Sequence, residues 1–148
     1  MSSVEDLLQL RWKDRFAGAA VLGRAFAQYE VTKYFSPDQA QCKAIAETYG
    51  LIAISICLKY GKVYTTSEKM EGVSAWLPPG QAPFGNWQIL RSIPLSVLFR
   101  FGRQGASRMQ AYSRHMDNVH RKLAPYPHWY LQIIGVDPKY QGQGFQVA

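Results

Sequence analysis

Apolar and polar positions along the chain follow two rhythms, and each change of rhythm marks an element. Residues 7–12 fit a short first strand. From Asp14, placed as an N-cap, Phe16, Ala19, Ala20, Gly23, Phe26 and Ala27 recur at helical spacing and predict a helix ending near Tyr29. Ser36 as N-cap, Pro37 at the first helical position, Asp38 in the first turn and Gln39 closing a capping box announce a second helix. It should run to about Tyr60, where Gly61 offers a stop. Residues 62–67 and 71–77 are rich in β-branched and aromatic side chains and flank Glu68-Lys69-Met70, the layout of a hairpin. Residues 78–85 read as loop on their proline and glycine content.

The second half is mostly helical. Residues 86–101 form a helix that Pro94 must kink or split. Residues 102–123 form another, with Met109, Tyr112, Met116, Val119 and Leu123 on one stripe. The remaining face carries Arg103, Arg108, Arg114, His115, His120, Arg121 and Lys122 against Asp117. Residues 128–136 read as a buried strand, and Asp137-Pro138 turns out of it. The order strand, two helices, hairpin, helices, strand, loop predicts a single mixed α/β (α+β) domain over residues 1–148.

Composition agrees with a packed domain: 148 residues, 47% hydrophobic and 14% aromatic. Seventeen Lys and Arg against ten Asp and Glu give +7, which favours anionic partners without choosing among them. Cys42 and Cys57 lack CxxC spacing and are expected to be reduced core thiols of a cytoplasmic protein. The longest apolar run, residues 51–58, falls short of the roughly 20 residues of a membrane span, so no membrane partner is expected. His115 and His120 lie about 140° apart around their helix with no carboxylate or cysteine set nearby, and no metal is expected.

The candidate chemistry lies in the last strand and its loop. Glycines at alternate positions, Gly142 and Gly144, can turn main-chain N–H groups toward an anion without side chains in its way. The string Leu131-Gln132-Ile133-Ile134-Gly135-Val136-Asp137-Pro138-Lys139-Tyr140-Gln141-Gly142-Gln143-Gly144 resembles the acetyl-CoA-binding segment of the GNAT superfamily of N-acetyltransferases, an apolar strand ending in V-x-P followed by Q/R-x-x-G-x-G/A. The order of elements is also similar to that family's N-terminal half. The resemblance implies a mainly antiparallel sheet flanked by helices, acetyl-CoA as cosubstrate and a primary amine, on a small molecule or a peptide, as acyl acceptor.

Carried onto this sequence, the resemblance gives Gln141, Gly142, Gln143 and Gly144 the CoA pyrophosphate, and the backbone of Ile134, Gly135 and Val136 the pantetheine arm, paired like an added strand. Gln146 departs from the pattern, which calls for Gly or Ala there. In the family a helix and a splayed strand follow the loop, and residues 145–148 supply neither. The expectation is therefore a domain incomplete at its C-terminus, lacking the later strands and helices and the helix that usually carries the general acid, and turning over poorly.

For the base that must deprotonate the amine, His128 is the candidate by its titration range. Period-two alternation puts His128, Tyr130 and Gln132 on one face of the strand, with Tyr130 as a second candidate or a packing residue. Tyr29, Glu30, Tyr34, Trp76 and the Pro78-Pro79-Gly80 turn border the expected acceptor side. Two alternatives come from other classes. Arg103, Arg108, Arg114, Arg121 and Lys122 could rest on a nucleic-acid backbone, although no recognition motif accompanies them. Alternatively, the chain is an inactive scaffold that dimerises through a bare last strand.

Overall fold

A computed structural model describes residues 6–145. The chain is a mixed α/β domain built on one four-stranded antiparallel sheet in the order β1-β2-β3-β4. The strands are β1 (Leu8–Gln9), β2 (Lys62–Thr65), β3 (Gly72–Leu77) and β4 (Tyr130–Val136). The helices are α1 (Arg15–Phe26), α2 (Glu30–Phe35), α3 (Gln39–Tyr60), α4 (Asn86–Ser92), α5 (Leu95–Leu98) and α6 (Gly102–Leu123). Helices α1 and α3 pack on each other and on one face of the sheet. Val63, Val73, Ala75 and Leu77 of the sheet meet Leu22, Ile54 and Ile56 of those helices in a common core.

Small residues set the spacing of that layer. A Cβ on Gly23 would lie 2.7 Å from Glu47 Cβ, and one on Gly50 would lie 2.9 Å from Leu22 Cβ. Each glycine therefore lets one helix backbone close on the other, and the gain is dispersion across a dry interface. By length and composition α3 could cross a membrane; 67% of its most apolar window is buried inside the fold, where it is the core helix. Both cysteines lie in it as free, buried thiols. Burial pushes the Cys57 thiol up to about 12.

Several expected boundaries shift, each for a local reason. Asp14 does precede α1, but its carboxylate accepts from Arg11 Nε at 2.7 Å and makes no cap hydrogen bond. The second long helix starts at Gln39 and not at Pro37: Asp38, and not Ser36, is the N-cap, its Oδ1 accepting from the Ala40 N–H at 3.0 Å. Ser36 instead closes the short helix α2, which the sequence reading left as connection. Pro94 splits the next helix into α4 and α5, followed by a 3-10 turn at Phe99–Phe101. Strand β4 begins at Tyr130, so His128 lies outside it.

Register in β4 is also irregular. Ala75 pairs with Ile133 and Trp76 with Leu131, which leaves Gln132 as the extra residue of a β-bulge. The simple alternation expected for His128, Tyr130 and Gln132 therefore breaks. On its other side β4 pairs with no strand among the described residues.

Candidate functional site

The C-terminal end of β4 runs into the loop that the sequence singled out. Gly142 and Gly144 have φ of +78° and +87°, the left-handed region that favours glycine, and a Cβ on either would meet nothing within 4 Å. Gly142, Gln143 and Gly144 lie exposed in the turn that follows β4. Side chains brace the loop from behind: Gln141 Nε2 donates to the Val136 carbonyl at 3.0 Å, and Gln143 Nε2 donates to that of Lys139 at 3.2 Å. The arrangement is an exposed, glycine-built bend, a construction that can turn main-chain N–H groups toward an oxyanion. Gln146 lies outside the described residues.

Asp137 anchors this bend to the core. Its carboxylate accepts from Arg24 Nε of α1 at 2.7 Å and from the Lys139 N–H at 3.1 Å, and its own N–H donates to the Glu71 carbonyl at 2.8 Å. Burial pushes the carboxyl up; the Lys139 N–H and the Arg24 guanidinium outweigh it and hold the group below the ordinary carboxylate value. The sequence reading missed this pair. The sequence marks Asp137 as a turn residue, and its separation of 113 positions from Arg24 carries no local signal for the pair.

Along the free edge of β4 runs a cleft of about 360 Å³ between the strand and the α1–α2 corner. Leu131, Gln132, Ile133 and Ile134 form one wall and Tyr29, Val31, Tyr49 and Tyr112 contribute to the others. It continues into a smaller hollow of about 220 Å³ where Tyr49, Tyr112 and Tyr130 surround Asp117 and Gln132. Burial pushes the Tyr49 hydroxyl up to about 12, with Tyr112 and Tyr130 adding to the effect and Gln132 opposing it. Burial likewise raises Tyr130, and it raises the Asp117 carboxyl against the pull of Arg121 and His120. A carboxylate with raised affinity for a proton, in a hollow rimmed by hydroxyls, has the character of a proton acceptor.

The predicted residues divide between the two ends of β4. Ile134, Gly135, Val136 and the Gln141 to Gly144 loop come together at its C-terminal end. Gly135 packs under Leu22 and Phe26, and all three strand residues also line a hollow of about 310 Å³ with Tyr64, Trp76 and Phe145 on the sheet face away from the helices. Tyr130 and His128 lie at the opposite end, about 20 Å away by the rise of an extended strand. Both ring nitrogens of His128 are engaged: Nδ1 is 2.6 Å from the Tyr126 carbonyl and Nε2 is 2.8 Å from His120 Nε2. A ring nitrogen facing a carbonyl donates to it, so Nδ1 carries a proton, and Nε2 shares one hydrogen bond with His120. His128 lines a separate hollow with Gly80, Ala82 and Pro83, while the His120 ring lies over Tyr130 with centroids 4.3 Å apart.

The other expected features are placed as follows. Tyr29 lines the edge cleft, whereas Glu30 pairs with Lys33 at 2.7 Å. Trp76 faces the outer side of the sheet, its Nε1 donating to Ser74 Oγ at 3.1 Å. Of the basic residues on α6, Arg108 is engaged, donating to the Tyr34 carbonyl at 2.9 Å. Among the described residues no three His, Cys, Asp or Glu side chains gather as a metal-ligand set.

No family model matches the sequence.

Proposed function

We propose that the protein is an acyl-CoA-dependent N-acyltransferase of the GNAT kind, moving an acetyl or related acyl group to a primary amine. The observation that carries this reading is the conjunction at β4: a strand edge free among the described residues, a bulge at Gln132 and, at the strand's end, an exposed bend with two left-handed glycines. A thioester supplies an activated acyl carbon when bound; the remaining work falls to the chain. The amides of Gly142, Gln143 and Gly144 hold the diphosphate, and the edge of Ile134, Gly135 and Val136 offers main-chain hydrogen bonds to an extended amide-bearing arm. Four residues separate Val136 from Gln132, about 13 Å of strand, so an arm lying along this edge reaches the bulge.

The bulge leaves a main-chain group outside the ladder, suited to steady an oxygen that takes up negative charge. Beside it Asp117, more basic than an ordinary aspartate, is positioned to take the proton of the incoming ammonium. The reading thus moves the base from His128, whose Nε2 is already occupied by His120, to Asp117. Retention on immobilised CoA and elution by free acetyl-CoA test the binding step, with thiol release against a panel of amines testing turnover. A Gly144→Val variant should lose retention, since a β-branched residue at φ +87° is strained and its side chain fills the space left for phosphate. Retention unchanged in that variant would refute the assignment of the loop.

A further inference from the structure

On the side of the molecule formed by the β1–α1 junction, α3 and the α4–α5 corner lies a hollow of about 460 Å³. Four cationic side chains, Arg15, Lys59, Arg91 and Arg100, line it, and among the described residues no carboxylate does. Among the described residues none of the four is in an ion pair. Two serine hydroxyls in its lining, Ser55 Oγ of α3 and Ser92 Oγ of α4, are buried and have no hydrogen-bond partner. A buried hydroxyl without a partner costs free energy, and these two lie in the wall of one hollow ringed by positive charge.

Three of the cations, Arg15, Lys59 and Arg91, are held in place by contacts that leave their charge unneutralised. Arg15 donates to the Trp12 carbonyl at 2.9 Å and lies over the Trp12 and Phe16 rings at 4.5 and 4.4 Å. Lys59 donates to the Arg91 carbonyl, and Arg91 lies over Trp87 at 5.4 Å. Ring faces and carbonyls orient these groups without cancelling them, which is what a site for a compact, doubly charged anion requires.

We propose that this hollow binds a phosphate group, the terminal dianion of a phosphomonoester, with the arginines as its charged donors and the two serines as its neutral ones. Exposed apolar side chains beside it, Phe16, Leu95 and Phe99, allow the phosphate to come from a lipid headgroup as well as from a soluble ester. The site is independent of the glycine loop and of the acyl-transfer reading.

Calorimetric titration of the full chain with inorganic phosphate, at fixed ionic strength, tests it. Saturable binding is expected in the parent and in Gly144→Val, with Arg91→Gln weakening it by about tenfold or more. The Lys59 contact survives that change because its acceptor is the main chain. Ser55→Ala should weaken binding by about three- to tenfold while leaving the unliganded protein as stable or more so, since an orphan hydroxyl is removed. That pair of effects separates a ligand donor from a structural residue. Absence of saturable binding, or binding indifferent to both Arg91→Gln and Ser55→Ala, overturns the proposal. Sedimentation with phosphatidylcholine vesicles carrying phosphatidic acid assigns the source: binding lost in Arg91→Gln supports a lipid, and phosphate binding without sedimentation supports a soluble ester.

Discussion

The two sides of strand β4 obey different rules. Toward β3 and the α1–α3 layer, Ala75, Leu77, Leu22 and Ile54 have essentially no solvent exposure. Leu131 and Ile134 of the same strand stay 37% and 42% exposed, and along its other edge β4 pairs with no strand among the described residues. One side is where apolar burial holds the fold; the other keeps main-chain hydrogen-bonding capacity available for something else. Truncating the buried side should therefore cost far more than truncating the open one. Leu22→Ala is expected to lower stability by about 2–5 kcal/mol and Leu131→Ala by no more than about 0.5 kcal/mol in urea titrations. Equal costs would mean that the edge is part of the core.

The two regions meet at Gly135, whose Cβ position lies 2.9 Å from Leu22 Cδ2, 3.0 Å from Phe26 Cε2 and 3.2 Å from Ala25 Cβ. The strand can approach α1 because nothing projects there. Gly135→Val should cost about 1–3 kcal/mol by overpacking, and it should also weaken CoA retention because the strand edge is displaced with it. Loss of stability with full retention would mean that the two regions are not coupled at Gly135.

A smaller effect is expected where a side chain of α1 steadies the open end. The Arg24 side chain is 37% exposed and that of Asp137 is 6% exposed, so the ion pair is partly screened. Arg24→Ala should cost about 1–2 kcal/mol, less than for a fully buried pair. Because the folded Asp137 carboxyl is held below its ordinary value of 3.8, its contribution is complete above that value and is lost as pH falls through the folded one. Stability of the parent should thus fall more steeply than that of Arg24→Ala as pH drops below about 4, measured by thermal unfolding in acid.

How far the sequence reveals these regions depends on the range of the interactions involved. Period-2 alternation marks the β2–β3 hairpin because burial repeats every second residue there, whereas α3 is buried without a break over residues 50–57 and is marked by its length and its Gly61 stop. The glycine loop is legible for the same reason: positive φ is a local demand, and Gly142 and Gly144 meet it. Local signals also mislead where two caps compete. Ser36 and Asp38 both suit an N-terminus, and the presence of α2 just before them gives the cap to Asp38. The bulge at Gln132, the Arg24–Asp137 bridge and the His120–His128 contact are invisible in the sequence, since each depends on partners fixed by the completed fold.

The smallest change in stability should accompany the largest change in association. An unpaired strand edge with exposed Leu131 and Ile134 is a template for a second strand, and the reading of β4 as a possible dimer edge rests on that. Leu131→Lys keeps the β3 pairing, because the side chain, not the backbone, is altered, and a charge on an edge strand opposes edge-to-edge contact. Its unfolding free energy should stay within about 0.5 kcal/mol of the parent. If copies of the chain pair through β4, size-exclusion chromatography should show a concentration-dependent dimer for the parent and a monomer for Leu131→Lys. Acetyl-CoA should also dissociate the parent dimer, since ligand and second strand would compete for the same main-chain groups of Ile134, Gly135 and Val136. A dimer that persists in Leu131→Lys and ignores acetyl-CoA would place the contact elsewhere and leave the open edge to the ligand alone.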